Sequence, residues 1–181
     1  MLFDSPPASA AKEFTSCVSG YAAADEASDL LGAQISVRDF TELGFHKLTT
    51  PTDGHCLFHA IILSAEHQTR VPPSYLDLIS KTRKAYGTHK EDFASSFYEH
   101  ENPSYLMKRY INDRQYNNSF GDIAVNLISI ALEATIIIYD EKDSLIRKQV
   151  IHPSLESISY TPKFTLRIHR RNSHFSGISL S

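Results

Sequence analysis

Apolar residues gather after residue 44, and their spacing changes along the chain. Gly44-Phe45-His46-Lys47-Leu48 is strand-like, and Thr50-Pro51-Thr52-Asp53-Gly54 has the composition of a turn. From Cys56 to about His67, Leu57, Ala60, Ile61, Ile62 and Leu63 predict a helix buried on most sides. Val71-Pro72-Pro73 breaks it, and Ser74 is placed to cap a helix bearing Tyr75, Leu76, Leu78, Ile79, Ala85 and Tyr86 before Gly87. A further helical region is expected from Glu91 to Tyr98. Pro103 to Ile111 reads as a short helix with proline in its first turn.

The second half shifts toward strands. Phe120-Gly121-Asp122 leads into Ile123, Leu127, Ile130, Ala131 and Ala134 at helical spacing, with Asp122 expected to cap that helix. Thr135-Ile136-Ile137-Ile138-Tyr139 is β-branched and reads as a buried central strand. Asp140 to Asp143 is expected to be a polar turn, and strands are expected at Ser144–Ile151, Phe164–Ile168 and Phe175–Leu180. Helices come first and strands cluster late, which predicts an α+β fold with a central β-sheet packed by helices. Residues 1–42, rich in Ala, Ser and acidic side chains, read as an N-terminal leader or helical arm, with a helix expected from Tyr21 to Leu31. Residues 43–181 form the expected domain.

Composition narrows the classes. At 181 residues there is material for one full core. Hydrophobic residues at 41%, charged residues at 22% and a formal net charge of -3 describe an ordinary globular chain and argue against a nucleic-acid partner. No apolar run approaches the roughly 18 residues of a membrane span, and the first residues lack a basic-then-apolar secretion signal. Cys17 and Cys56 are expected to stay reduced in a cytoplasmic setting rather than to form a disulfide. A monomer is the default expectation.

The chemistry centres on Cys56. After a tight turn, its thiol stands in a first helical turn, among amide N–H groups without carbonyl partners. Those donors and the helix dipole favour a thiolate and can receive the oxyanion formed when it attacks a carbonyl. Such a nucleophile needs a base. Of the chain's nine histidines, His174 is preferred, because it precedes the last strand and can reach a neighbouring helix start. His169, His152 and His46 are weaker candidates. His55 and His59 have the i, i+4 spacing of zinc-binding histidines, but the Glu of His-Glu-x-x-His and a third ligand are missing, so no metal is expected. The expectation is that His59 packs toward the interior and His55 lines the cleft. Arg167, Arg170 and Arg171 read as a solvated strand end. Tyr98, Tyr105, Tyr110, Tyr116 and Phe120 are assigned to the core and its margins.

Asp53-Gly54-His55-Cys56-Leu57-Phe58-His59-Ala60 resembles the cysteine motif of the ovarian tumour (OTU) family of cysteine-protease deubiquitinases. Phe120-Gly121-Asp122 with the following helix and Ile136–Tyr139 resembles its middle block, and Asn172-Ser173-His174-Phe175-Ser176 its histidine block. The resemblance covers roughly residues 44–181. It implies a papain-like fold without a cofactor, with Cys56 attacking the bond after the C-terminal glycine of ubiquitin, or a ubiquitin-like modifier, in conjugates or polyubiquitin chains. His174 would be general base and then acid. The Asp53 region and Cys56 would offer oxyanion N–H groups, with Gly54 allowing the tight approach. Where the family commonly has Asp or Asn two residues after the histidine, this chain has Ser176, which adds no charge; Asn172 is the other candidate for orienting the ring. That departure sustains an alternative, a ubiquitin-binding module of the same fold with weak or no turnover. Small deubiquitinases of this kind also occur in pathogens, so a delivered effector acting in a host cytosol is a second setting for the same chemistry.

Overall fold

The computed structural model describes residues 35–155 and 158–181. The helix expected at Tyr21–Leu31 and the thiol of Cys17 lie outside the described residues. A six-stranded mixed sheet carries the architecture. Its strands are β1 (Ile35–Ser36), β2 (Phe45–Leu48), β3 (Ala134–Lys142), β4 (Leu145–Ile151), β7 (Phe164–Arg171) and β8 (His174–Leu180), in the order β1-β4-β3-β7-β8-β2. β3 and β7 run parallel and the other pairs are antiparallel. The short strands β5 (Ser154–Leu155) and β6 (Ile158–Ser159) pair separately. The described residues also form five α-helices: α1 (Val37–Glu42), α2 (Cys56–Gln68), α3 (Tyr75–His89), α4 (Pro103–Asp113) and α5 (Asn118–Leu132). Helices precede most strands, which makes this the expected α+β arrangement.

Alternation along β3 divides the core in two. Ile136 and Ile138 join the larger cluster with α2, α3, α4 and α5, while Ile137 and Tyr139 face the other way, with Phe40, Phe45, Ile146 and Ile178. The second face is covered by α1, whose Phe40 is fully buried. Residues 35–42, grouped with the leader on composition, therefore supply an edge strand and the helix that closes this side. Ser36 caps α1 by accepting from Asp39 N–H while the Asp39 side chain accepts from Ser36 N–H, a reciprocal pair that starts a six-residue helix.

Several local expectations are corrected. Glu91–Tyr98 is not an α-helix; only a 3-10 turn, Ala94–Ser96, forms there. α3 continues past Gly87 to His89, whose ring is buried beside Asp92. α5 starts before the Phe120-Gly121-Asp122 block, because the Asn117 side chain accepts the Phe120 N–H. Asp122 is thus an exposed residue inside the helix and not its cap. The polar run after Tyr139 stays in β3 through Lys142. The reversal falls at Asp143 and Ser144, both at positive φ (53° and 63°), which matches the twist of a two-residue hairpin. β8 starts at His174, immediately after the turn formed by Asn172 (φ 56°) and Ser173.

Candidate active site

The segment before α2 is built by its neighbours rather than by its own helix. Gly54 has φ +81°, and a Cβ there would sit 1.8 Å from the Arg114 carbonyl oxygen, so only glycine lets the loop rest on the end of α4. One Asp53 carboxylate oxygen accepts the His55 N–H at 3.0 Å; the other meets His59 Nε2 at 3.1 Å and Arg114 Nη1 at 2.7 Å. Partial burial works to raise the Asp53 pKa, but the His55 N–H, His59 and Arg114 outweigh it and hold the group below the usual carboxylate value.

His55 is the anchor of this loop. Its Nε2 lies 2.5 Å from the Tyr110 carbonyl oxygen and its Nδ1 2.5 Å from the Tyr75 hydroxyl. A carbonyl only accepts, so Nε2 carries the proton and Nδ1 accepts from Tyr75. Burial, then the nearby Arg114 and His59, lower the His55 pKa against the opposing pull of the Tyr110 carbonyl and Asp53. The expected placement of the two histidines is reversed. His55 is 1% exposed, whereas His59 is part-exposed and stacks on Tyr75 with ring centroids 5.4 Å apart. With both ring nitrogens of His55 engaged, it has no lone pair to give a metal.

Cys56 is the first residue of α2, and His55 provides no side-chain cap. Among the described residues the other four α-helices are each capped by a side chain, from Ser36, Ser74, Asn102 and Asn117. The start of α2 is therefore without a side-chain acceptor for its first-turn N–H groups. α2 is pressed onto β8: a Cβ at Gly177 would lie 3.0 Å from Leu63 Cβ and 3.4 Å from the Ala60 carbonyl. This packing brings the two ends of the sequence motif pair together. The buried Cys56 Sγ lies 4.0 Å from the carbonyl oxygen of Ser173, the residue before His174.

The His174 ring has a partner that the sequence reading missed. Its Nε2 lies 3.0 Å from Thr50 Oγ1, and the same hydroxyl donates to the Phe175 carbonyl at 2.5 Å. Thr50 follows β2, which pairs with β8 in the register Leu48↔Gly177; the contact arises from that pairing and has no local sequence signal. Among the described residues neither Ser176 nor Asn172 is hydrogen-bonded to the ring. Ser176 instead stands opposite His169 in the β7–β8 ladder, and Asn172 is exposed in the turn.

The other histidines go elsewhere. His169 is buried, with Nε2 2.9 Å from Glu141, which also holds Lys47 at 2.8 Å. His152 faces Thr135 at 3.3 Å, and His46 is exposed on β2. Arg170 departs from the solvated strand end expected of it: it forms a two-pronged pair with Asp140 (2.8 and 2.9 Å) and lies over the Phe175 ring. Tyr110 and Phe120 are core residues, whereas Tyr98 and Tyr105 are 69% and 54% exposed.

A family model described as OTU-like cysteine protease matches residues 51–175. A search of curated proteins finds no match. Among solved structures, the viral OTU domain protease from Taggert virus is similar with TM-score 0.57 at 20% identity, covering 81% of this chain and 83% of that one. An OTU deubiquitinase from Wolbachia pipientis bound to ubiquitin gives 0.57 at 14%, covering 76% and 96%. The Hazara virus OTU bound to ubiquitin gives 0.55 at 16%, covering 82% and 87%. At these identities the likeness is one of fold.

Proposed function

The chain belongs to the OTU-like cysteine protease family, and on that premise we propose that it is a deubiquitinase with Cys56 as nucleophile and His174 as general base. The observation that carries this reading is the Cys56 thiol at an uncapped helix start, 4.0 Å from the backbone carbonyl adjoining His174. In the proposed reaction His174 takes the thiol proton and the sulfur attacks the carbonyl carbon of a modifier's C-terminal glycine. The oxyanion is received by the Cys56 N–H and the backbone near Asp53 and Gly54. Imidazolium then protonates the leaving lysine amine, the C–N bond breaks and a thioester remains. His174 next takes a proton from water, hydroxide adds, and the C–S bond breaks to release a carboxylate and restore the thiol.

A groove that admits only the Gly-Gly end of the modifier fits this scheme, with selectivity set by the loops around it. No helix among the described residues is long and apolar enough to cross a membrane, and the reading carries action in a cytosol-like compartment, a host's if the protein is a delivered effector. A panel of differently linked diubiquitins, with a ubiquitin probe bearing an electrophilic C-terminus, tests it. Cleavage and probe labelling are expected for the native chain, and Cys56→Ala and His174→Ala are each expected to lose at least about a thousandfold in kcat/KM. Ubiquitin binding without labelling or cleavage would replace the enzyme with the binding module. Alkylation of Cys56 without any response to ubiquitin would point to a different amide substrate.

A further inference from the structure

We propose that Thr50, and not Ser176 or Asn172, is the positioning residue that sets the tautomer and orientation of His174. The proposal rests on the Cys56–His174 reading above and adds to it. It follows from counting hydrogens on one oxygen. The Thr50 hydroxyl has a single proton, and the Phe175 carbonyl, 2.5 Å away, can only accept it. That proton is therefore committed. What Thr50 Oγ1 presents to His174 Nε2, 3.0 Å away, is a lone pair, so the proton of that bond belongs to the ring. His174 is thus held as the Nε2–H tautomer, and Nδ1 is left with the lone pair needed to take a proton from sulfur. A carboxylate would achieve the same orientation with charge; here a neutral hydroxyl, itself fixed by a backbone carbonyl, does it.

Position agrees with role. Thr50 is 4% exposed, so its hydroxyl does not exchange its partners freely with bulk water. It lies two residues beyond β2, whose ladder ends with Leu48 opposite Gly177, so its location is tied to the strand carrying His174. Ser176 shares a strand face with His174 but is placed opposite His169, and Asn172 is exposed at φ 56°. The element that positions the base is therefore the loop leading into the nucleophile, not the strand bearing the base.

Two measurements test this on the full chain. The first needs no substitution: 15N chemical shifts of the His174 ring near neutral pH are expected to report a protonated Nε2 and an unprotonated Nδ1. The second compares Cys56 alkylation by chloroacetamide, which does not depend on substrate identity, with diubiquitin turnover. Thr50→Val is expected to lower both the alkylation rate and kcat by about tenfold with little change in KM, the rate equivalent of about one hydrogen bond. Thr50→Ser, which keeps the hydroxyl, is expected to stay within about twofold of the native chain. Thr50→Asp is expected to move the acid limb of the pH–rate profile upward, because a carboxylate stabilises imidazolium and the base must be neutral to take the thiol proton. A native ring protonated at Nδ1, a Thr50→Ser loss as large as that of Thr50→Val, or a Ser176→Ala loss matching Thr50→Val would each overturn the proposal. Native chain that alkylates with this dependence on Thr50 yet ignores ubiquitin would defeat the substrate assignment and leave the positioning role standing.

Discussion

At the scale of single residues, the loop before Cys56 is determined by two positions, Gly54 and His55. Gly54→Ala places a methyl 1.8 Å from the Arg114 carbonyl at φ +81°, so the backbone has to move. The expected outcome is a loss of about a hundredfold or more in diubiquitin kcat/KM with Cys56 itself intact, since displacing a nucleophile by about 1 Å has costs of that order. His55 gives a pH signature. Burial holds its pKa below the ordinary 6.5, so unfolding takes up a proton. The stability it contributes is complete above about 6.5 and is lost as pH falls from there toward the depressed value. Urea midpoints are expected to drop between pH 7.5 and 5, and His55→Asn to flatten that slope; an unchanged slope would remove His55 from the account. His169, lowered by burial and by Lys47, acts in the same direction. The glycine of the motif was legible from sequence because its spacing to cysteine is fixed locally. The inversion of His55 and His59 was not, because it depends on Tyr75 and Tyr110, which arrive from other helices.

At the scale of elements, capping decides where helices begin and which of them can serve chemistry. Asn117→Ala is expected to lower stability by about 1 kcal/mol through loss of the α5 cap, while Asp122→Ala, exposed within the helix, is expected to stay within about 0.5 kcal/mol; denaturant melts of the two variants distinguish the assignments. Most helices and strands were readable from apolar spacing. One misreading took polarity for a turn where tertiary partners hold the backbone. Asp140 and Glu141 stay in β3 because Arg170, Lys47 and His169 engage them. The Glu91–Tyr98 segment, with only Phe93 buried along it, has too little apolar face to sustain a helix. α1 went unnoticed because six residues carry almost no periodicity, although Ser36 and Asp39 at the right spacing signalled its start.

At the scale of the whole molecule, one sheet separates a larger helical core from a small aromatic one. Phe40 closes the second side, with its ring centroid 5.1 Å from those of both Phe45 and Tyr139. Phe40→Ala is expected to cost about 3–5 kcal/mol, read by thermal or denaturant melts, and to expose the Glu141–His169–Lys47 cluster beneath. The fold class was legible, because helical spacing dominates before Ala134 and β-branched runs after it. The role assigned to Thr50 was not, since it requires knowing that β2 lies beside β8. The two residues proposed to react are also held by different supports. The sulfur's loop is pinned to α4 through Gly54, Asp53 and His55, whereas the imidazole belongs to the sheet. Displacing α4 would therefore shift the loop before Cys56 while leaving the strand that carries His174 in place.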